Sequence, residues 1–100
     1  MKYVVTVRGI LKDTDEQQAR RAHDATVQKV TAIGRPLGHI GHQTQLNTKN
    51  RREFLAIDTW ENLEGLQKFL SDPANPGPII QLFEGEPDIA IWATTDWLGF

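Results

Sequence analysis

The sequence predicts one α+β domain over residues 1–100, with element order β-α-β-β-α-β. Three observations predict it. Four short stretches are rich in β-branched and aromatic residues or lie beside turn signals. Two longer stretches repeat apolar residues at spacings of three and four, the period of a helix face. Gly34-Arg35-Pro36, Asn47-Thr48-Lys49-Asn50 and Asp72-Pro73 punctuate the chain between them.

The first strand is read at 3–10, YVVTVRGI, where Tyr3, Val5 and Val7 alternate with Val4, Thr6 and Arg8. A helix then runs from about Thr14 to Ile33, with Asp13 or Thr14 as its N-cap and Glu16 completing a capping box with Asp13. Ala19, Ala22, Thr26, Val30 and Ile33 share one small, mildly apolar face, and His23 falls on the solvent side. Gly34 and Pro36 end this helix. A second strand at about 39–47, a turn at NTKN and a third strand at about 52–59 make a hairpin. The third strand is apolar on both faces, at Leu55 and Ile57 and again at Phe54 and Ala56. The second helix starts under a Thr59 or Asn62 cap, carries Leu63, Leu66, Phe69 and Leu70 as a stripe, and closes at Asp72-Pro73. A proline-rich loop follows, with a short helical turn over Ile79 to Phe83. The last strand is read at about 88–94, DIAIWAT.

This order is the ferredoxin-like split βαβ arrangement: a four-stranded antiparallel sheet with both helices on one face. Strands with two apolar faces are usually covered on both sides. No further element of the chain is long enough to cover the second side. The expectation is therefore a homodimer through the open sheet face, two sheets packing about 10 Å apart. Trp97, Leu98 and Phe100 end the chain in a tail too apolar for water, expected to pack on the partner subunit or over a cavity mouth.

Composition narrows the function classes. The formal net charge is −2 and no basic block is longer than the short Asn50-Arg51-Arg52 run, so a nucleic-acid partner is not expected. With no cysteine, thiolate chemistry and the common structural zinc sites are excluded. No apolar run reaches the ~20 residues of a membrane span, and MKYVVTVRGI lacks a signal-peptide core. The expected location is cytoplasmic, away from membranes.

Two quoted stretches carry a family resemblance. FLAIDTWENLEGLQKFLSDP at 54–73 and LFEGEPDIAIWA at 82–93 resemble the antibiotic biosynthesis monooxygenase-like family of the dimeric α+β barrel superfamily. The shared features are a third strand ending in Trp60-Glu61, a helix with Leu/Phe spacing, and a final strand after a loop. The resemblance implies an enzyme of the cofactor-independent oxygenase type, acting on a small aromatic or polyketide-like compound, with no cofactor. It also admits a non-catalytic, small-ligand-binding or stress-associated dimer. Haem-degrading relatives place an Asn in the first strand and a His in the second helix, and this sequence has neither.

The candidate chemistry centres on GHIGH at 38–42. Two histidines three apart on a regular strand point to opposite faces, so His39 and His42 are not expected to clip a metal. The helix-facing set is read as Val5, Val7, Leu55, Ile57, Ile89 and Ile91. The opposite set is Thr6, Arg8, Phe54, Ala56, Asp58, Ala90, Trp92 and Thr94, which fits either a ligand cavity or a dimer interface. The hairpin turn places His42 opposite Ile57 or Asp58. Only the Asp58 register would make a carboxylate–imidazole pair on the cavity face, with His39 on the other. His42, Asp58 and Arg8 are the candidate catalytic residues. Arg8 would bind a substrate oxygen or bridge to Asp58. Thr6, Phe54, Trp60 and Trp92 are the candidate lining, with Trp60 and Trp92 also able to serve as core.

Overall fold

The computed structural model describes residues 2–99. Phe100, the last apolar residue of the tail, lies outside the described residues. The elements are β1 (Tyr3–Leu11), α1 (Glu16–Gly34), a 3-10 turn (Arg35–Leu37), β2 (His39–Leu46), β3 (Glu53–Trp60), α2 (Leu63–Ser71), α3 (Gly77–Ile80) and β4 (Phe83–Ala93). The sheet order is β2-β3-β1-β4 and every pairing is antiparallel. This is the expected ferredoxin-like topology.

Local chemistry explains most boundaries. Asp15, rather than Asp13 or Thr14, caps α1: its side chain accepts from the backbone N–H of Gln17 at 2.9 Å and Gln18 at 3.4 Å. Asn62 caps α2 by accepting from the Gly65 N–H at 2.6 Å. Gly38 sits at φ 110°, a left-handed conformation that ends the 3-10 turn and aims the chain into β2. β4 begins at Phe83, five residues before the sequence reading. The chain bulges around Gly85 (φ 72°), which lets pairing with β1 resume at Glu84–Ile10 and Phe83–Leu11.

The core lies between the sheet and the helices: Val5, Val7, Leu11, Ala19, Phe54, Ala56, Trp60, Leu66, Phe69 and Phe83 are buried. Residues directly opposite across an antiparallel pair share a face. Val5 lies opposite Asp58 and Ile91, and Val7 opposite Ala56 and Ile89. The helix-facing reading was therefore right for β1 and β4 and inverted for β3. Phe54, Ala56 and Asp58 look towards the helices, while Leu55 and Ile57 are half-buried on the open face. Both phases of β3 are apolar, so alternation alone could not choose; pairing with β1 did.

α1 corrects a second expectation. Its sheet-facing side runs through Ala19, Ala22, His23, Thr26, Val27 and Val30 to Gly34. Ile33, expected inside, is 43% exposed. His23 stands one helical turn from both Ala19 and Val27, which puts it under the helix rather than in solvent.

The open face carries Thr6, Arg8, Leu55, Ile57, Ala90 and Trp92, with Trp92 56% exposed. Trp97 and Leu98 are 83% and 104% exposed, so within the chain these two residues cover neither the core nor a cavity.

Candidate functional site

The site is made by a bulge. His39 lies opposite Trp60 and Gly41 opposite Thr59, so Ile40 is an extra residue on β2. An extra residue shifts the face of everything after it. His39 and His42, three apart in sequence, therefore both point towards the helices. The reading that strand geometry separates them is corrected by this bulge. His42 lies opposite Asp58, and that register gives the carboxylate–imidazole pair.

Asp58 Oδ1 accepts from both rings, at 2.8 Å from His39 Nε2 and 2.8 Å from His42 Nδ1. His39 is buried and packs against Trp60, their ring centres 5.1 Å apart. Trp60 in turn meets Phe69 of α2 at 5.4 Å. His42 continues outward: its Nε2 lies 3.0 Å from His23 Nε2 and 3.0 Å from Thr44 Oγ1. His23 Nδ1 is 2.8 Å from Asp24 Oδ1. A continuous polar chain thus runs from the part-buried Asp58 through His42 and His23 to Asp24 on the surface. Among the described residues, no buried side-chain polar atom lacks a hydrogen-bond partner.

This chain borders an apolar cavity of about 60 Å³ between sheet and helices. Val5, Val7, Val30, His39, His42, Phe54, Asp58, Trp60 and Ile79 are among its walls. An outer groove of about 390 Å³ runs between α1 and the hairpin, over Leu11, Ala19, Leu46 and Phe54, with Glu16, Arg20 and Arg51 along it. His23 and Phe54 line both spaces and divide them.

The residues singled out from sequence divide between two faces. His42, Asp58, Phe54 and Trp60 line the cavity. Arg8, Thr6 and Trp92 lie on the other side of the sheet. Arg8 donates from Nε and Nη2 to Glu53 Oε2 at 2.9 and 2.7 Å, so it neither bridges to Asp58 nor reaches the cavity. Trp92 Nε1 donates to Thr6 Oγ1 at 2.9 Å. His23, His39 and Thr44 join the site without having been selected from sequence. For His39 the pair of glycines flanking it was the available signal of a bulge.

Electrostatics sharpens the pair. The hydrogen bond to Asp58 raises the His42 pKa above its ordinary 6.5, and burial only partly opposes it. Burial pushes the Asp58 carboxyl up, but hydrogen bonds from His39 and His42 outweigh it and hold the group below its ordinary 3.8. A raised histidine stabilises the fold fully below pH 6.5, and that contribution is lost as pH rises through its folded value. A lowered aspartate stabilises fully above pH 3.8, and that contribution is lost as pH falls through its folded value. The pair is expected to stabilise most between these limits and to lose its contribution on either side. Urea denaturation of the protein and of His42→Gln across this range checks it: the stability difference should shrink at both ends.

No family profile and no curated protein sequence matches the chain. Solved structures do. A conserved protein from Methanosarcina mazei Go1 superposes with TM-score 0.74 at 13% identity, covering 95% of this chain and 94% of that one. SnoaB, a cofactor-independent oxygenase from Streptomyces nogalater, gives TM-score 0.68 at 10% identity, covering 97% and 96%. An antibiotic biosynthesis monooxygenase gives 0.69 at 11%, covering 95% and 99%. At these identities the likeness establishes the fold: the chain has the ferredoxin-like fold of the antibiotic biosynthesis monooxygenase structures. No described helix is long and apolar enough to cross a membrane.

Proposed function

We propose, from the fold shared with a cofactor-independent oxygenase, that the chain is a small oxygenase working without metal or organic cofactor. Its substrate would be a small aromatic or polyketide-like compound with an acidic C–H or O–H. The observation that carries the reading is the Asp58–His42 pair at the wall of an apolar cavity. A carboxylate that orients an imidazole and raises its pKa is the arrangement of a general base. His42 would take the substrate proton, and the resulting anion would reduce dioxygen. For an activated CH₂ the balance is one C=O formed, the second oxygen leaving as water.

Size decides where the partners fit. The inner cavity, at about 60 Å³, is smaller than the ~150 Å³ that holds a benzene ring, but it can take dioxygen. The groove, at about 390 Å³, falls within the ~300–1,000 Å³ of small-molecule sites. The substrate would lie in the groove, which His23 and Thr44 line, with its reacting atom reaching past them towards His42. Leu55, Ile57, Ala90 and Trp92 make the open sheet face an apolar patch, which a second copy of the chain would cover in a homodimer. The small volume of the inner cavity also supports a second reading, a non-catalytic ligand-binding dimer.

The test is a thermal-shift screen with hydroxylated polycyclic aromatics, followed by oxygen consumption with each stabilising compound. Turnover that falls by roughly 10²-fold or more in His42→Ala, with ligand still stabilising the variant, is the expected result. Stabilisation with no oxygen uptake would favour the binding dimer. Equal oxygen uptake by the variant would remove His42 from the chemistry.

A further inference from the structure

His23 and His42 meet end to end. Their Nε2 atoms are 3.0 Å apart, their ring centres 5.2 Å apart, and the planes differ by 27°. The difference between the two distances is about the sum of two ring radii. The nitrogens therefore lie close to the line joining the ring centres, lone pair towards lone pair. The other ring nitrogens are both engaged, His23 Nδ1 with Asp24 Oδ1 at 2.8 Å and His42 Nδ1 with Asp58 Oδ1 at 2.8 Å. Both carboxyls are held below their ordinary pKa: Asp24 by its hydrogen bond with His23, and Asp58 by those from His39 and His42 against the effect of burial. An ionised carboxylate only accepts, so both Nδ1 atoms carry hydrogen, and in a neutral imidazole the second nitrogen is then bare.

Thr44 Oγ1 lies 3.0 Å from His42 Nε2 and 2.9 Å from His23 Nε2, but its single hydrogen can serve only one of them. Two neutral rings would leave two acceptors facing each other at hydrogen-bond distance. One added proton removes the conflict. A metal ion on the same line would hold the nitrogens about 4 Å apart, twice a metal–imidazole bond of ~2.0–2.1 Å, which 3.0 Å does not permit.

We infer that His23 and His42 form one composite base that holds a single proton between their Nε2 atoms at neutral pH. The charged or titratable groups around it are few. On α1 they are Asp24 and its partner Arg20, with Glu16 paired to Arg51 of the hairpin further along the groove. On the sheet they are Asp58 and its second partner His39. The α2 and α3 residues that line the cavity carry no charge.

The catalytic meaning of the pair rests on the function proposed above; the shared proton does not. In the reaction, a substrate C–H or O–H bond breaks and an N–H bond forms at His42 Nε2. The bond's electron pair stays on the substrate anion. The shared proton moves wholly to His23 Nε2 and the two rings part, because two N–H groups cannot face each other at 3.0 Å; each imidazolium then rests on its own carboxylate. His23 then releases that proton to water in the groove, and the pair returns to one proton. His23 acts through His42 and is a positioning residue.

The test is ¹⁵N NMR of the labelled full chain at neutral pH. The expected result is that both Nε2 nuclei resonate midway between protonated and bare imidazole, with the Nδ1 nuclei protonated. In His23→Gln the amide can donate or accept but cannot exchange a proton with the ring, so His42 Nε2 should leave the midway position, a change that a merely structural role for His23 would not produce. One protonated and one bare Nε2 in the unsubstituted chain, or two bare ones, overturns the inference and leaves His42 as a lone base. Midway resonances in a chain that consumes no oxygen with any compound leave the composite base standing and remove the oxygenase reading. If oxygen uptake is found, His23→Gln is expected to lower kcat by roughly 10²-fold with KM unchanged.

Discussion

Asp58→Ala is expected to destabilise the protein by about 3 kcal/mol, because it strips two imidazoles of one shared acceptor. Asp58 Oδ1 accepts from His39 Nε2 and His42 Nδ1, each at 2.8 Å. His39 is buried against Trp60, so its N–H would be left without a protein acceptor. A buried donor left unpaired costs its full desolvation, about 1–3 kcal/mol, and hydrogen bonds to charged groups lie at the upper end of the usual range. Asp58→Asn separates charge from geometry. Its amide oxygen can still accept, so the stability loss should be near 1 kcal/mol. The raised pKa of His42 should nevertheless fall back towards its ordinary value, since the hydrogen bond to the Asp58 carboxylate is its main cause. Urea denaturation and NMR titration of His42 read the two effects separately. An alanine variant as stable as the parent protein would mean that His39 and His42 find other acceptors, and Asp58 would lose its place at the centre of the site.

Gly65→Ala is expected to cost about 3 kcal/mol or more, for a steric reason independent of the site's chemistry. A Cβ at position 65 would stand 1.6 Å from the Leu37 carbonyl oxygen and 2.8 Å from its carbon. These are backbone atoms, so no side chain can swing away. Relief requires separating the first turn of α2 from the 3-10 turn that delivers Gly38 and His39 to β2. That movement would loosen Trp60 against Phe69, and with it the wall of the cavity. Gly77→Ala is the control. Nothing lies within 4 Å of its would-be Cβ, at the start of a helix. It should be neutral or stabilise by a few tenths of a kcal/mol. Comparable midpoints for the two variants in urea would mean that α2 can shift without loss.

The difference between what could be read from the sequence and what could not follows from the range of the interactions. The Asn62 cap, the Leu66–Phe69 stripe of α2 and the β-branched run of β1 are set by neighbours within a turn or two, and they lie where the sequence placed them. The phase of β3 was not set that way. Phe54-Leu55-Ala56-Ile57 is apolar at every position, so either face could have gone inward until Val5 and Val7 of β1 chose Phe54, Ala56 and Asp58. Arg8 went with the wrong set for that reason, and it lies across the sheet from the site, paired with Glu53. His23 was assigned to solvent from its polar sequence neighbours, although its spacing from Ala19 and Val27 marked the inner face.

The sequence by itself determined the order of elements and the sheet they form, and it narrowed the partner of His42 across the hairpin to Ile57 or Asp58; the observed register selects Asp58. Alternation, capping and turn residues act locally, and they set the elements but neither the phase of β3 nor the register of the hairpin. The tertiary structure decided which side of the sheet carries Asp58, and that three histidines rather than one stand on it. A single extra residue, Ile40, turned His39 to the same face as His42, and the packing of α1 brought His23 to 3.0 Å from His42. Strand phase and helix rotation are fixed by contacts between segments far apart in the chain. Residues that a regular strand holds apart can therefore meet once a bulge and a packed helix are in place.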